Sequence, residues 1–152
     1  MDNPALSKRE LVKAIVHGIK QDTESYKQLK KLLHRQRELM QSRDNRGLNL
    51  HNKLQTELCD DLMLKANQRR QMLESLGFAG NASGMQSLIG KMPPASSAQV
   101  AKLWHNLLQT VKESQQVNEA NGKLLVAQQE VINQLLHPHA DSKHDYGCIR
   151  SL

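Results

Sequence analysis

Large rings are nearly absent from this chain. Trp104, Phe78, Tyr26 and Tyr146 are the whole aromatic set, 3% of the residues. A compact α/β enzyme uses such rings to fill the space between its layers, so their scarcity argues against that class. Cysteine is scarce as well. Cys59 and Cys148 lie in different contexts and suggest no disulfide framework, which fits two free thiols in a reducing cytoplasm. No run approaches the ~20 apolar residues of a membrane span. The opening "MDNPALSKRELVKAIVHGIK" mixes acids and bases with no apolar run of signal-peptide length. Missing too are a glycine loop for a nucleotide, a paired-carboxylate site and a nucleophile elbow. An enzyme is therefore not expected, nor is a cofactor.

What the chain has in quantity is Leu, Gln, Lys, Ala and Glu, the composition of long helices with narrow seams. Val12, Ile15, Ile19, Asp22, Tyr26, Leu29, Leu33, Gln36 and Met40 alternate by three and four. The spacing predicts a first helix over about 4–43, closed by the turn chemistry of "SRDNRG". Leu48, Leu54, Leu58, Leu62, Ala66, Arg69, Leu73 and Leu76 predict a second helix over 48–76, ending at Gly77. Residues 77–97 break the pattern with four glycines and a Pro-Pro pair, and "SGMQSLIG" within them reads as a helical turn or two. Ser96 or Ser97 is then expected to cap a third long helix over 98–136. Its stripe is Val100, Trp104, Leu107, Val111, Ser114, Asn118, Asn121, Leu125, Gln128, Ile132 and Leu135, and Pro138 stops it. The expectation is an all-α fold. One domain, residues 1–136, forms an elongated antiparallel bundle of three long helices with coiled-coil-like packing, and 137–152 form a mobile tail.

Charge is unevenly placed on this scaffold. The formal net charge is +6, and residues 27–46 alone carry Lys27, Lys30, Lys31, Arg35, Arg37, Arg43 and Arg46 against Glu38 and Asp44. A basic face can meet nucleic acid, acidic lipid or an acidic partner, or simply keep the protein soluble. Only Tyr26 stands near it for base stacking, and Leu29, Leu32, Leu33, Leu39 and Met40 commit one side of the helix to packing. No nucleic acid and no stable membrane insertion are expected. His137, His139, His144 and Cys148 have metal-ligand types, but a mobile tail gives a metal no supporting shell, so no metal site is expected. "HGIKQ" at 17–21 departs from the His-x-x-Lys-Gly of a histidine phosphotransfer module, and Ile19 sits on the seam.

The most informative stretch is "QQVNEANGKLL", 115–125, which carries Asn118, Asn121 and Gly122 into the longest stripe. Amides in a seam lower its burial energy, or fix register within the protein's own bundle. Gly122 gives up about 1 kcal/mol of helix propensity and admits another helix closely. A seam weakened in this way suits a surface that exchanges helical partners.

Read together, the landmarks resemble the flagellar type III export chaperones of the FlgN type over most of the chain. The Leu-rich first helix, the turn at Arg43-Asp44, Lys53, "RRQMLESLG" at 69–77 and above all "NEANGKLL" at 118–125 carry the likeness. Pro138 and the Tyr146-Gly147 pair follow in the same order. The tail departs from the family pattern, since "YGCIRSL" lacks a Gly- and polar-rich extension. The resemblance implies a cytoplasmic chaperone that binds C-terminal helical segments of hook–filament junction proteins of the FlgK and FlgL type. It would keep them unassembled and deliver them to the export gate. Asn118, Asn121, Gly122, Leu125 and Ile132 are the expected client-binding residues. Tyr146 is the residue implied to dock on the gate protein FlhA. The alternative is a basic coiled-coil structural or nucleic-acid-associated protein.

Overall fold

The computed structural model describes residues 7–136. These form four α-helices and no strand: α1 (Lys8–Gln41), α2 (Asn45–Ser75), α3 (Ala82–Gly90) and α4 (Pro94–Leu136). The all-α class, the three long helices and the short helix inside 77–97 are as the periodicity predicts. The tail, Tyr146 and the candidate ligands His137, His139, His144 and Cys148 lie outside the described residues.

The helix bounds differ from expectation where local capping decides them. α1 starts at Lys8 rather than near Pro4, because Ser7 Oγ accepts the Glu10 backbone N–H at 3.1 Å and caps it. α2 starts at Asn45 rather than 48. Its cap is Asp44, whose Oδ1 accepts from Gly47 N–H at 2.9 Å. α4 starts at Pro94, four residues before the expected position. Proline suits the first helical position, where its missing N–H leaves nothing unsatisfied. Ser97 is therefore inside the first turn and does not cap it. Its hydroxyl donates instead to Ile89 O at 2.8 Å and ties the end of α3 to the start of α4.

Two turns reverse the chain with the same hydrogen-bond pattern. After α2, Gly77 N–H donates to Glu74 O and Phe78 N–H to Leu73 O, both at 2.9 Å, with Gly77 at φ 87°. After α1, Arg43 N–H donates to Met40 O at 3.2 Å and Asp44 N–H to Leu39 O at 3.0 Å. There the left-handed position, φ 58°, is held by Arg43, a residue with a Cβ. α3 is pinned by close approach: a Cβ on Gly84 would stand 1.6 Å from Ala79 O.

The chain divides into two compact units, residues 1–26 with 60–110, and residues 27–59 with 111–152. In the first, Ile15, Ile19 and Tyr26 of α1 are buried, as are Leu62 and Leu73 of α2. Met85, Leu88 and Ile89 of α3 and Val100, Trp104 and Leu107 of α4 complete an almost wholly apolar core. α1 and α2 run antiparallel there: Ile15 lies across a groove from Met72 and Ser75, and Asp22 from Lys65 and Arg69.

The second unit is built differently. α1 supplies Leu29, Leu33, Leu39 and Met40, whereas α2 supplies His51, Gln55 and Cys59, and α4 supplies Ser114 and Asn121. The expected α2 stripe holds only in part in this half. Leu48 and Leu58 are half-buried, but Leu54 is 59% exposed, because His51 and Gln55 turn inward in its place.

Arg43 is a direct test of the first turn. Arg43→Gly should raise stability by about 0.5–1 kcal/mol by removing the Cβ from a left-handed position. Urea unfolding measures this, and a loss of stability would mean that the arginine side chain holds the turn.

Candidate interaction surface

In the second unit the polar side chains of α2 and α4 converge on the backbone of α1. Asn121 Nδ2 donates to Leu33 O at 2.7 Å and to Gln36 Oε1 at 3.1 Å. Gln128 Nε2 donates to Met40 O at 2.9 Å, and His51 Nε2 to Leu32 O at 2.7 Å. Gln36 Nε2 donates to Asn52 Oδ1 at 2.9 Å. A carbonyl already in the helix ladder keeps a second lone pair, so these bonds form without breaking α1. Lys30 Nζ bonds Glu113 Oε2 at 2.5 Å. Its partners ascend in step (Lys30 with Glu113, Leu33 with Asn121, Met40 with Gln128), so α1 and α4 run in the same direction as first and third members of an up-down-up arrangement.

The sequence-predicted residues fall at three depths along α4. Asn121 and Gly122 are buried, Asn118 and Leu125 are half-buried, and Ile132 is 40% exposed. Asn121 directs both amide hydrogens at its own α1, which is the register role, while its Oδ1 is buried without a partner. Leu125 and Ile132 lie on the inner stripe as it reaches the end of α1. α1 stops at Gln41, and the pairing of Met40 with Gln128 leaves the last turns of α4 beyond it. Val131, Leu135 and Leu136 there are 51, 77 and 67% exposed. None of these three was expected as a site residue, and Leu135 was expected on the inner stripe. The signal that could have found them is length, for α4 has 43 residues and α1 only 34.

One buried polar pair belongs to the first unit. Asp22, only 2% exposed, accepts from Arg69 Nη1 at 2.6 Å through Oδ2, and its Oδ1 is buried without a hydrogen bond. The Arg69 guanidinium sits 5.6 Å from the Trp104 ring centroid. Burial pushes the Asp22 carboxyl above its ordinary range, outweighing the hydrogen bond and charge of Arg69 and the charge of Lys65, and Asp61 adds to the rise. The pair reads as structure rather than chemistry. Among the described residues no group of three His, Cys, Asp or Glu could hold a metal ion, and no helix is long and apolar enough to cross a membrane.

These features define an all-helical protein whose long helices are held in register by polar side chains on the backbone of α1. The chain matches the FlgN protein family over residues 1–140, and it belongs to that family. FlgN proteins are the flagellar export chaperones for hook-associated proteins; they are cytoplasmic and non-enzymatic. No curated protein and no solved structure matches the chain.

Two expectations follow from the polar contacts. Asn121→Asp would place a carboxylate against two acceptors, Leu33 O and Gln36 Oε1, and should cost about 2–3 kcal/mol at neutral pH by urea unfolding. Asn121→Leu should change stability by less than about 1 kcal/mol but loosen register, seen as mixed oligomeric states in sedimentation. For Asp22 the raised pKa means that the folded chain holds the proton more tightly than the unfolded chain. Its contribution to stability therefore improves as pH falls through the raised pKa towards the ordinary carboxylate range. Wild type should gain on Asp22→Asn in thermal melts taken from pH ~7 to ~4. A constant difference would mean that Asp22 titrates normally.

Proposed function

We propose that this chain acts in the cytoplasm as the export chaperone of hook–filament junction proteins of the FlgK and FlgL type. It binds their C-terminal helical segments, keeps them from assembling early, and delivers them to the export gate through FlhA. The observation that carries the reading is the end of α4. Val131, Ile132, Leu135 and Leu136 form one exposed apolar face at positions i, i+1, i+4 and i+5. An amphipathic client helix buries its own apolar stripe against such a face. Leu125, half-buried, is assigned to the inward end of this surface, and Asn118 and Gly122 to the stretch of α4 before it. Asn121 contributes by holding α4 in register on α1. Tyr146 is assigned to gate docking, because a lone tyrosine on a polar segment brings contact area at low entropy cost. The competing reading, a basic structural or nucleic-acid-associated protein, has in its favour only the charge of residues 27–46.

The exposure of the α4 end makes the test clean, since no core is disturbed. Ile132→Asp with Leu135→Asp should leave helicity unchanged and weaken binding of a FlgK- or FlgL-type C-terminal fragment by more than about tenfold, 1.4 kcal/mol. Tyr146→Ala should retain that affinity while weakening association of the loaded complex with the cytoplasmic domain of FlhA. Calorimetry reads both. Unchanged client affinity in the double variant would remove the α4 end from the site, and equal loss of both partners in Tyr146→Ala would move the tyrosine into the client surface.

A further inference from the structure

The basic stretch of α1 has so far no role, and the structure places part of it in a groove. In the second unit Lys30, His34 and Arg37 line one wall of an open cleft of about 380 Å³, and Glu113, Gln116, Val117 and Ala120 line the other. Lys30, His34 and Arg37 stand at i, i+4 and i+7 and so share one face of α1. The two cations among them, Lys30 and Arg37, are not equally met. Lys30 has Glu113 at 2.5 Å, whereas Arg37 keeps a buried Nη1 with no hydrogen-bond partner. A buried guanidinium N–H left unmatched is costly, and a carboxylate satisfies its fork with two parallel bonds.

The α4 wall adds a second property. Val117, Ala120, Leu124, Ala127 and Val131 follow one another by three and four, a stripe separate from the inner one through Ser114, Asn121 and Gln128. Val117 and Leu124 are half-buried, and Ala120, Ala127 and Val131 are exposed. The two alanines leave room for a third backbone to come close. The stripe runs from the cleft to the apolar end of α4 already described.

We propose that this α1/α4 groove seats an acidic amphipathic helix of a partner protein, with carboxylates on Arg37 and His34 and apolar residues along Val117–Val131. A nucleic acid fits less well. Its evenly charged backbone would meet Glu113 in the cleft, no aromatic lines the groove for stacking, and an apolar stripe offers phosphates nothing. The chemistry of the groove stands on its own. Only the identity of the helix's owner, a hook-associated client, rests on the function proposed above.

A synthetic helix of about 20 residues, with Leu at three–four spacing flanked by Glu, is the probe. The same helix with Lys for Glu and a short DNA duplex are its controls. Binding is read by fluorescence anisotropy at low and moderate salt. The Glu helix should bind wild type with salt-sensitive affinity, the Lys helix should not, and Arg37→Met should weaken the Glu helix at least tenfold. Arg37→Lys should recover only part of the loss. Arg37→Met should melt no lower than wild type, because it removes an unmatched buried donor. If it does unfold, Ala120→Glu carries the test, since it changes an exposed residue and should weaken binding as much. Equal binding of the Glu and Lys helices, or unchanged affinity in the folded variants, overturns the proposal. So does duplex DNA binding more tightly than the Glu helix and being lost in Arg37→Met. A hook-associated fragment titrated in parallel separates the readings: if it fails to bind wild type while the Glu helix binds, the chaperone reading falls and the groove stands.

Discussion

The hydrogen bond from the Asn121 amide to the Leu33 carbonyl sets the relation between α1 and α4, the helices on which the proposed binding surface is built. Apolar side chains in a parallel helix pair tolerate a slip of one heptad with modest loss, because leucine meets leucine again. An amide buried against one particular carbonyl does not. A slip would strand the amide without water or partner at a cost of about 1–3 kcal/mol. Gln128 on Met40 repeats the device two turns further on. Together they fix how far α4 reaches past the end of α1, and hence which leucines are left exposed.

The two units divide the work accordingly. The first buries aliphatic side chains and Trp104 from four helices and has its buried ionic pair in Asp22 with Arg69. A buried pair of this kind contributes little net stability, since desolvation offsets most of the attraction. Its apolar neighbours supply the stability. The second unit has a thinner apolar contribution, most of it from α1, and relies on bonds between side chains and backbone. Such a seam specifies geometry at low burial energy, which suits the half of the protein assigned to partners.

Much of this was legible from spacing. Every α1 position expected inside, from Ile15 to Met40, is buried or half-buried, and so is the α4 stripe from Val100 to Gln128. The three–four alternation survives because both helices face a common core along that length. Two things were not legible. In the first half of α2 Leu54 points outward while Leu48 and Leu58 stay half-buried, because His51 and Gln55 turn inward between them, His51 onto α1's backbone, and hydrophobic periodicity is blind to a polar inward face. The exposed end of α4 was hidden because spacing along each helix does not give the register between them, and it is the pairing of Gln128 with Met40 that leaves the last turns of α4 beyond Gln41. Of the residues named for client binding, Leu125 is half-buried and Ile132 is 40% exposed on the α4 stripe, and Asn121 makes its chief bond to the protein itself.

The distribution of chromophores has an optical consequence. Trp104, Tyr26 and Phe78, the aromatic residues of the described chain, all belong to the first unit. Tryptophan emission therefore reports on that unit, with the Arg69 guanidinium over the indole as a local perturbant. The described helices of the second unit contribute to far-ultraviolet dichroism without a tryptophan to mark them. Loosening confined to that half would lower the helical signal while the tryptophan spectrum stayed still, and the two probes would trace different curves on one chain.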